Sequence, residues 1–187
     1  MTRQYFADVT NEPVTSSFTA VNSHTTVALI FPISGNKMWT RIPANDMRAG
    51  KVYRVDAGGV MGATGTPTVA YTPFVGPAAT TADSSLGIST TFTMGAPTAV
   101  AWYYTFTLLV RSVGNAASTA AVVGTGVMTL GQVAAASIGP AITVGGLTTV
   151  TTLDSSVDQF LSLGATWSAS SASNTHTTQW VVMRSLN

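Results

Sequence analysis

From Trp102 to Arg111 the chain alternates in parity. Trp102, Tyr104, Phe106, Leu108 and Val110 make one wholly apolar set, and Tyr103, Thr105, Thr107, Leu109 and Arg111 make the other. Successive side chains point to opposite faces of a β-strand, so a period of two specifies a strand with one face in a core. A helix would scatter the same residues around its circumference. The segment Leu161–Trp167 repeats the pattern, with Leu161, Leu163, Ala165 and Trp167 opposed to Ser162, Gly164 and Thr166.

The remaining segments are consistent with an all-β chain. Charged residues are 8% of the total, about a third of the usual share. Polarity comes instead from Thr and Ser, and the β-branched Thr favours extended backbone. Short strands are expected at Thr25–Ile33, Lys37–Ile42, Lys51–Asp56, Thr66–Gly76, Gly87–Met94 and Ser118–Leu130. Pro67 and Pro73 suit an edge strand, because proline cannot donate to the ladder. Gly58-Gly59 and Gly124-Thr-Gly126 read as bulges or close sheet packing, without the lysine and helix of a phosphate loop.

Leu161–Trp167 and Thr175–Leu186 read as a closing hairpin-like pair, joined by the Ser/Ala loop Ser168–Asn174. A single helical turn fits only around Ser155–Leu161. About 8–10 strands then form an antiparallel β-sandwich, most simply a jelly roll. Residues 1–20 form an N-terminal arm or edge strand, and 21–187 the single domain.

The most apolar runs, Thr26–Ile33 and Val100–Val110, are shorter than the roughly 20 residues of a membrane-spanning helix. With a net charge of +1, neither nucleic acid nor a membrane is expected as a partner. No cysteine is available for disulfides, thiolate metal sites or nucleophilic catalysis. Met1–Asp8 lacks the apolar core of a signal peptide, so synthesis in the cytoplasm is expected.

No catalytic constellation emerges, and an enzyme is not expected. His24 and His176 lie in separate Ser/Thr/Asn-rich segments and read as loop or strand-edge residues. Of the acidic residues Asp8, Glu12, Asp46, Asp56, Asp83, Asp154 and Asp158, only the last two are near neighbours outside the N-terminal arm. Their spacing suits a capped turn better than a glycosidase pair or a calcium loop. No cofactor and no metal is expected.

One window stands apart. Lys37, Arg41, Arg48, Lys51 and Arg54 are five of the eight basic residues, with Trp39 and Tyr53 among them. Alternating charges make either a solvated rim or a docking edge for an acidic partner or another subunit; aromatic residues and arginine are enriched at interfaces. Trp102 and Trp167 read as core, whereas Trp39 and Trp180 fit a half-buried sheet edge or a sugar-stacking platform. Ser112–Leu153 carries no charge at all, as a face covered by other subunits or a neutral Ser/Thr/Ala face would.

Ala49-Gly-Lys-Val-Tyr-Arg-Val-Asp-Ala-Gly-Gly59, the aromatic strand Trp102–Arg111, and the ending from Leu161 through Asn174 to Leu186-Asn187 resemble small β-sandwich virion structural proteins of tailed bacteriophages. The resemblance runs from about Val21 onward and rests on strand pattern and composition. It implies a non-enzymatic capsid decoration or head-fibre protein on the virion surface, often a homotrimer, with the major capsid protein as partner. The alternative it carries is a tail or head-fibre appendage that binds a host receptor or glycan. It transfers no catalytic residue.

Overall fold

In a computed structural model, residues 21–31, 37–114, 120–131, 141–144 and 149–187 are described. The expected N-terminal arm, 1–20, lies outside them. The strands are β1 (Val21–Asn22), β2 (Ala28–Phe31), β3 (Arg41–Ile42), β4 (Val52–Gly62), β5 (Thr68–Gly76), β6 (Ser84–Ser85) and β7 (Phe92–Thr93), followed by β8 (Val100–Ser112), β9 (Ala120–Leu130), β10 (Ala141–Val144), β11 (Thr149–Leu153), β12 (Gln159–Trp167) and β13 (Thr175–Ser185). A 3-10 turn, Lys37–Thr40, precedes β3, where the sequence suggested continuous strand.

Two antiparallel sheets pack face to face. The larger has the order β1-β13-β4-β8-β9-β10, with β11 also on β9; the smaller has β2-β12-β5-β6, with β3 on β12 and β7 on β5. This is the all-β sandwich that the composition predicts. Four of the thirteen strands are two-residue pairings, which accounts for the excess over the expected count.

The apolar parity of β8 faces the core: Trp102, Tyr104, Phe106, Leu108 and Val110 are all buried, while Tyr103 and Leu109 are exposed on the opposite face. Tyr104 stacks on Phe106 at 5.9 Å between ring centroids and meets Phe31 of the other sheet at 5.7 Å. Phe106 also fills the space over Gly124 and Gly126, the close packing read from that motif. Each fully buried side chain of this size contributes about 1.5–3 kcal/mol over an exposed one.

Two expectations change. β12 and β13 are not a hairpin. β12 pairs with β5 and β13 with β4, so β4–β5 and β12–β13 make one antiparallel ribbon folded from the large sheet onto the small. The proline-bearing β5 is not a bare edge either, because β6 and β7 pair with its free side at Phe74-Val75 and Thr68-Val69. Pro73 falls between these two pairings, where only its carbonyl is engaged, by the Leu86 amide at 2.9 Å. Its missing N–H therefore costs no ladder bond.

Gly58-Gly59 lies within β4, and the expected irregularity is on the partner strand. The register passes from Thr178↔Gly59 to Trp180↔Gly58, leaving Gln179 of β13 as the extra residue. That bulge reverses the strand's phase. His176 and Thr178 are buried before it, Val181 and Met183 after it, so Trp180 and Arg184 face outward.

A Cβ on Gly59 would overlap the Thr177 carbonyl oxygen, so the bulge needs glycine opposite it. Gly59→Ala is expected to cost about 1–3 kcal/mol, read as a lower urea midpoint. An unchanged midpoint would refute the β4–β13 register.

Candidate functional site

The basic window converges on one cleft. The segment Pro43–Lys51 leads from β3 to β4 and turns twice, at Asn45 (φ 63°) and at Gly50 (φ 84°), both in the left-handed region that Asn and Gly tolerate. The folded segment faces the end of β13. Between them lies a cleft of about 460 Å³ whose lining includes Arg41, Asp46, Lys51, Tyr53, Arg184 and Asn187. The Asn187 side chain closes it to β4 by accepting the Val52 amide (2.8 Å) and donating to the Gly50 carbonyl (2.8 Å).

Asp46 organises the cleft. It pairs with the Lys51 ammonium and accepts a hydrogen bond from the Tyr53 hydroxyl at 3.0 Å. The ammonium also lies 5.2 Å from the centre of the Tyr53 ring, within cation–π range. Burial, reinforced by the Asp46 charge, pushes the phenol well above its ordinary value, so Tyr53 stays a neutral donor. Arg41 Nε stands 2.9 Å from Asp158, whose other oxygen accepts the Ala44 amide at 2.8 Å. Asp158 thus braces the cleft wall, while Asp154 closes a turn by accepting the Ser156 amide (2.8 Å). The helical turn expected there is a hydrogen-bonded turn leading into β12.

Of the seven residues singled out in sequence, Arg41, Lys51 and Tyr53 line the cleft. Lys37 begins the 3-10 turn, Trp39 packs half-buried against the core, and Arg48 is exposed on the loop. Arg54 points to the outer face of the large sheet. There its Nε donates to Asp56 at 3.0 Å, alongside Tyr103 Oη at 2.9 Å and Arg184 Nη2 at 2.7 Å. Burial raises the Asp56 pKa, but bonds from Thr105, Arg184, Tyr103 and Arg54 together outweigh it and hold the carboxyl below its usual value. Sequence reasoning missed Arg184 and Asn187, which reach the cleft only through the β13–β4 pairing.

No family model, curated protein or solved structure matches this chain. The chemistry therefore has to be read from the residues themselves. The cleft lining carries three cations, Arg41, Lys51 and Arg184, each already paired with a carboxylate, together with amide donors. Such a surface suits recognition of a polar or acidic partner. Among the described residues, no group of three or more potential metal-ligating side chains gathers.

The histidines are a second finding that departs from expectation. The pairing of β1 with β13 brings His24 and His176 to 6.3 Å between ring centroids. His176 is not at a strand edge but is buried against Trp167 (5.0 Å) and Tyr71 (5.7 Å), with the Tyr71 hydroxyl 3.2 Å from its Nε2. Burial first, and then neighbouring His24, lowers the His176 pKa to about 3; burial also lowers that of His24.

A folded-state pKa below the unfolded value of 6.5 means that the unfolded chain binds more protons between these limits. This contribution to stability is complete above the unfolded value and is lost as pH falls towards the folded one. Each such proton gives a slope of up to about 1.4 kcal/mol per pH unit. The Asp56 carboxyl is held below its usual value, so it stays ionised at both pH 7 and pH 5, and urea midpoints at these two pH values report on the histidines rather than on it. We expect the midpoint to fall between them, and His176→Phe to flatten the fall. A pH-independent wild type would exclude a neutral buried imidazole.

Proposed function

We propose that the protein is a non-enzymatic virion structural protein, a capsid decoration protein that binds and stabilises the outer surface of a tailed-phage head. Its sandwich is wound as a jelly roll through the folded ribbon β4–β5/β12–β13. It is made in the host cytoplasm, assembles as a homotrimer and docks on the major capsid protein. Nucleic acid and membrane are not its partners. The phage assignment rests on the sequence resemblance.

The observation that carries the docking role is the cleft, where Arg41, Lys51 and Arg184 present cations at one end of the sandwich. Its ion pairs are partly exposed, so a partner carboxylate competes for cations that lose little on leaving their present partners. Within the charge-free stretch Ser112–Leu153, β9 exposes Thr125 and Thr129, neutral residues suited to self-association. A protein that binds only the assembled shell stabilises it by mass action.

The test is co-sedimentation with heads from which the protein has been removed. Wild-type protein is expected to bind, to raise the heat resistance of the heads, and to bind less as salt rises, since exposed charges are screened over about 8 Å at physiological ionic strength. In solution its mass should be three times the 19.2 kDa chain. Arg41→Ala/Lys51→Ala should fold and trimerise but fail to sediment with heads. Binding unaffected by that pair would remove the cleft from the docking role, and no binding by the wild type would end the capsid reading.

A further inference from the structure

We infer that the outer face of the large sheet is a binding platform for an acidic saccharide, with a pyranose ring stacked on Trp180 and Tyr103 and its carboxylate held by Arg54 and Arg184. The inference rests on this face alone and not on the capsid reading.

The platform is built by the strand register. Gly58 of β4 lies between Tyr103 of β8 and Trp180 of β13. A Cβ at Gly58 would stand 2.6 Å from the indole Nε1 and 2.7 Å from Cε2 and Cζ2, so the Trp180 ring lies directly on the glycine backbone. The Tyr103 ring lies 5.8 Å away at an interplanar angle of 37°. Both rings remain more than a third exposed, Tyr103 at 38% and Trp180 at 37%. Two supported aromatic rings thus share a small shelf that is open to solvent. The face of an aromatic ring is electron-rich. The C–H bonds on one face of a pyranose are polarised positive by the ring's oxygens, which makes that face complementary to the shelf.

One row along the sheet, Asp56 lies between Thr105 and Val182. Its buried carboxylate is occupied by Tyr103, Arg54 and Arg184. Two guanidinium groups therefore share one carboxylate and leave a local charge of about +1, with further N–H donors on each arginine. Their side chains are 40% and 46% exposed. Tyr103 joins the two halves, because its ring forms part of the shelf while its hydroxyl reaches the carboxylate that holds both arginines.

A single carboxylate on a sugar ring matches this spacing and charge. A nucleic acid could also stack on the rings, but it presents a phosphate at every nucleotide. A chain with net charge +1 and a single local excess charge is poorly matched to a polyanion.

The experiment is a titration of the protein with methyl β-glucuronide, which carries one carboxylate on one pyranose ring, followed by calorimetry and tryptophan fluorescence, with methyl β-glucoside and an oligothymidylate as comparison probes. The glucuronide is expected to bind and to perturb the fluorescence. Trp180→Ala should weaken it about tenfold, as loss of an aromatic contact worth up to about 1.4 kcal/mol does. Arg54→Gln should remove the preference for the glucuronide over the glucoside while leaving weak glucoside binding intact. Because Arg54 pairs with the buried Asp56, a lower urea midpoint is expected for that variant, and a cooperative urea transition will establish that each variant is folded. Failure of the glucuronide to bind, equal binding by Trp180→Ala, or tighter binding of the oligothymidylate would each overturn the proposal. So would a concentration-dependent dimer dissolved by Trp180→Ala, which would assign the shelf to a second copy.

Discussion

Strand β4 is held along its length between β13 and β8, and both the cleft and the aromatic shelf depend on its alternation. Its inward residues Tyr53, Val55, Ala57 and Met61 are buried in the sandwich. Its outward residues Arg54, Asp56 and Gly58 form the centre of the exposed face. At one end Tyr53 reaches through to Asp46 in the cleft; at the other, Met61 pairs with His176 and meets the Tyr71 hydroxyl. A one-residue slip of this strand would exchange the two faces, burying Arg54 and Asp56 while exposing Tyr53 and Val55. The core and the exposed sites are thus fixed by the same register.

The parts of the structure set by local periodicity were readable. The core faces of β8 and β12 follow from parity, although only the other face of β8 meets solvent; that of β12 is buried as well, at Ser162 and Gly164. Part of the cleft was readable for a similar reason: Arg41, Lys51 and Tyr53 come from one short window that folds back on itself through two left-handed residues. What could not be read is what long-range pairing decides. Arg184 joins this cleft from the far end of the chain. His24 and His176 meet only because a two-residue strand caps β13, and neither histidine's neighbours in sequence announce a buried site. Thr175–Leu186 reads as one continuous strand, so nothing marks Gln179 as the residue that reverses its faces. Gly58-Gly59 was the available signal, since it marked the level of the irregularity on the opposite strand.

Two ionisable groups are buried in this fold by opposite means. Asp56 keeps its charge because the sheet surrounds it with arginine and phenol donors. His176 has aromatic rings and a second imidazole around it, and burial there keeps it neutral. The costs also differ in kind. A buried charge is tolerable when its partners are fixed, whereas a buried neutral imidazole is tolerable only while protons are scarce. Acid therefore acts first where β1, β5, β12 and β13 meet, well before it reaches the outer-face carboxylate.

Arg184 lines the cleft and also holds Asp56, one row along the sheet from the aromatic shelf. The two surfaces consequently share one guanidinium. A carboxylate bound at the shelf would compete with Asp56 for that group, and a partner in the cleft would compete for it from the other side. Coupling between sites is reciprocal, so any preference of one such occupant for a given Arg184 position would be felt equally by the other. Arg54 touches only the shelf and Lys51 only the cleft among these contacts. Those two residues report on the sites separately, and Arg184 reports on the link between them.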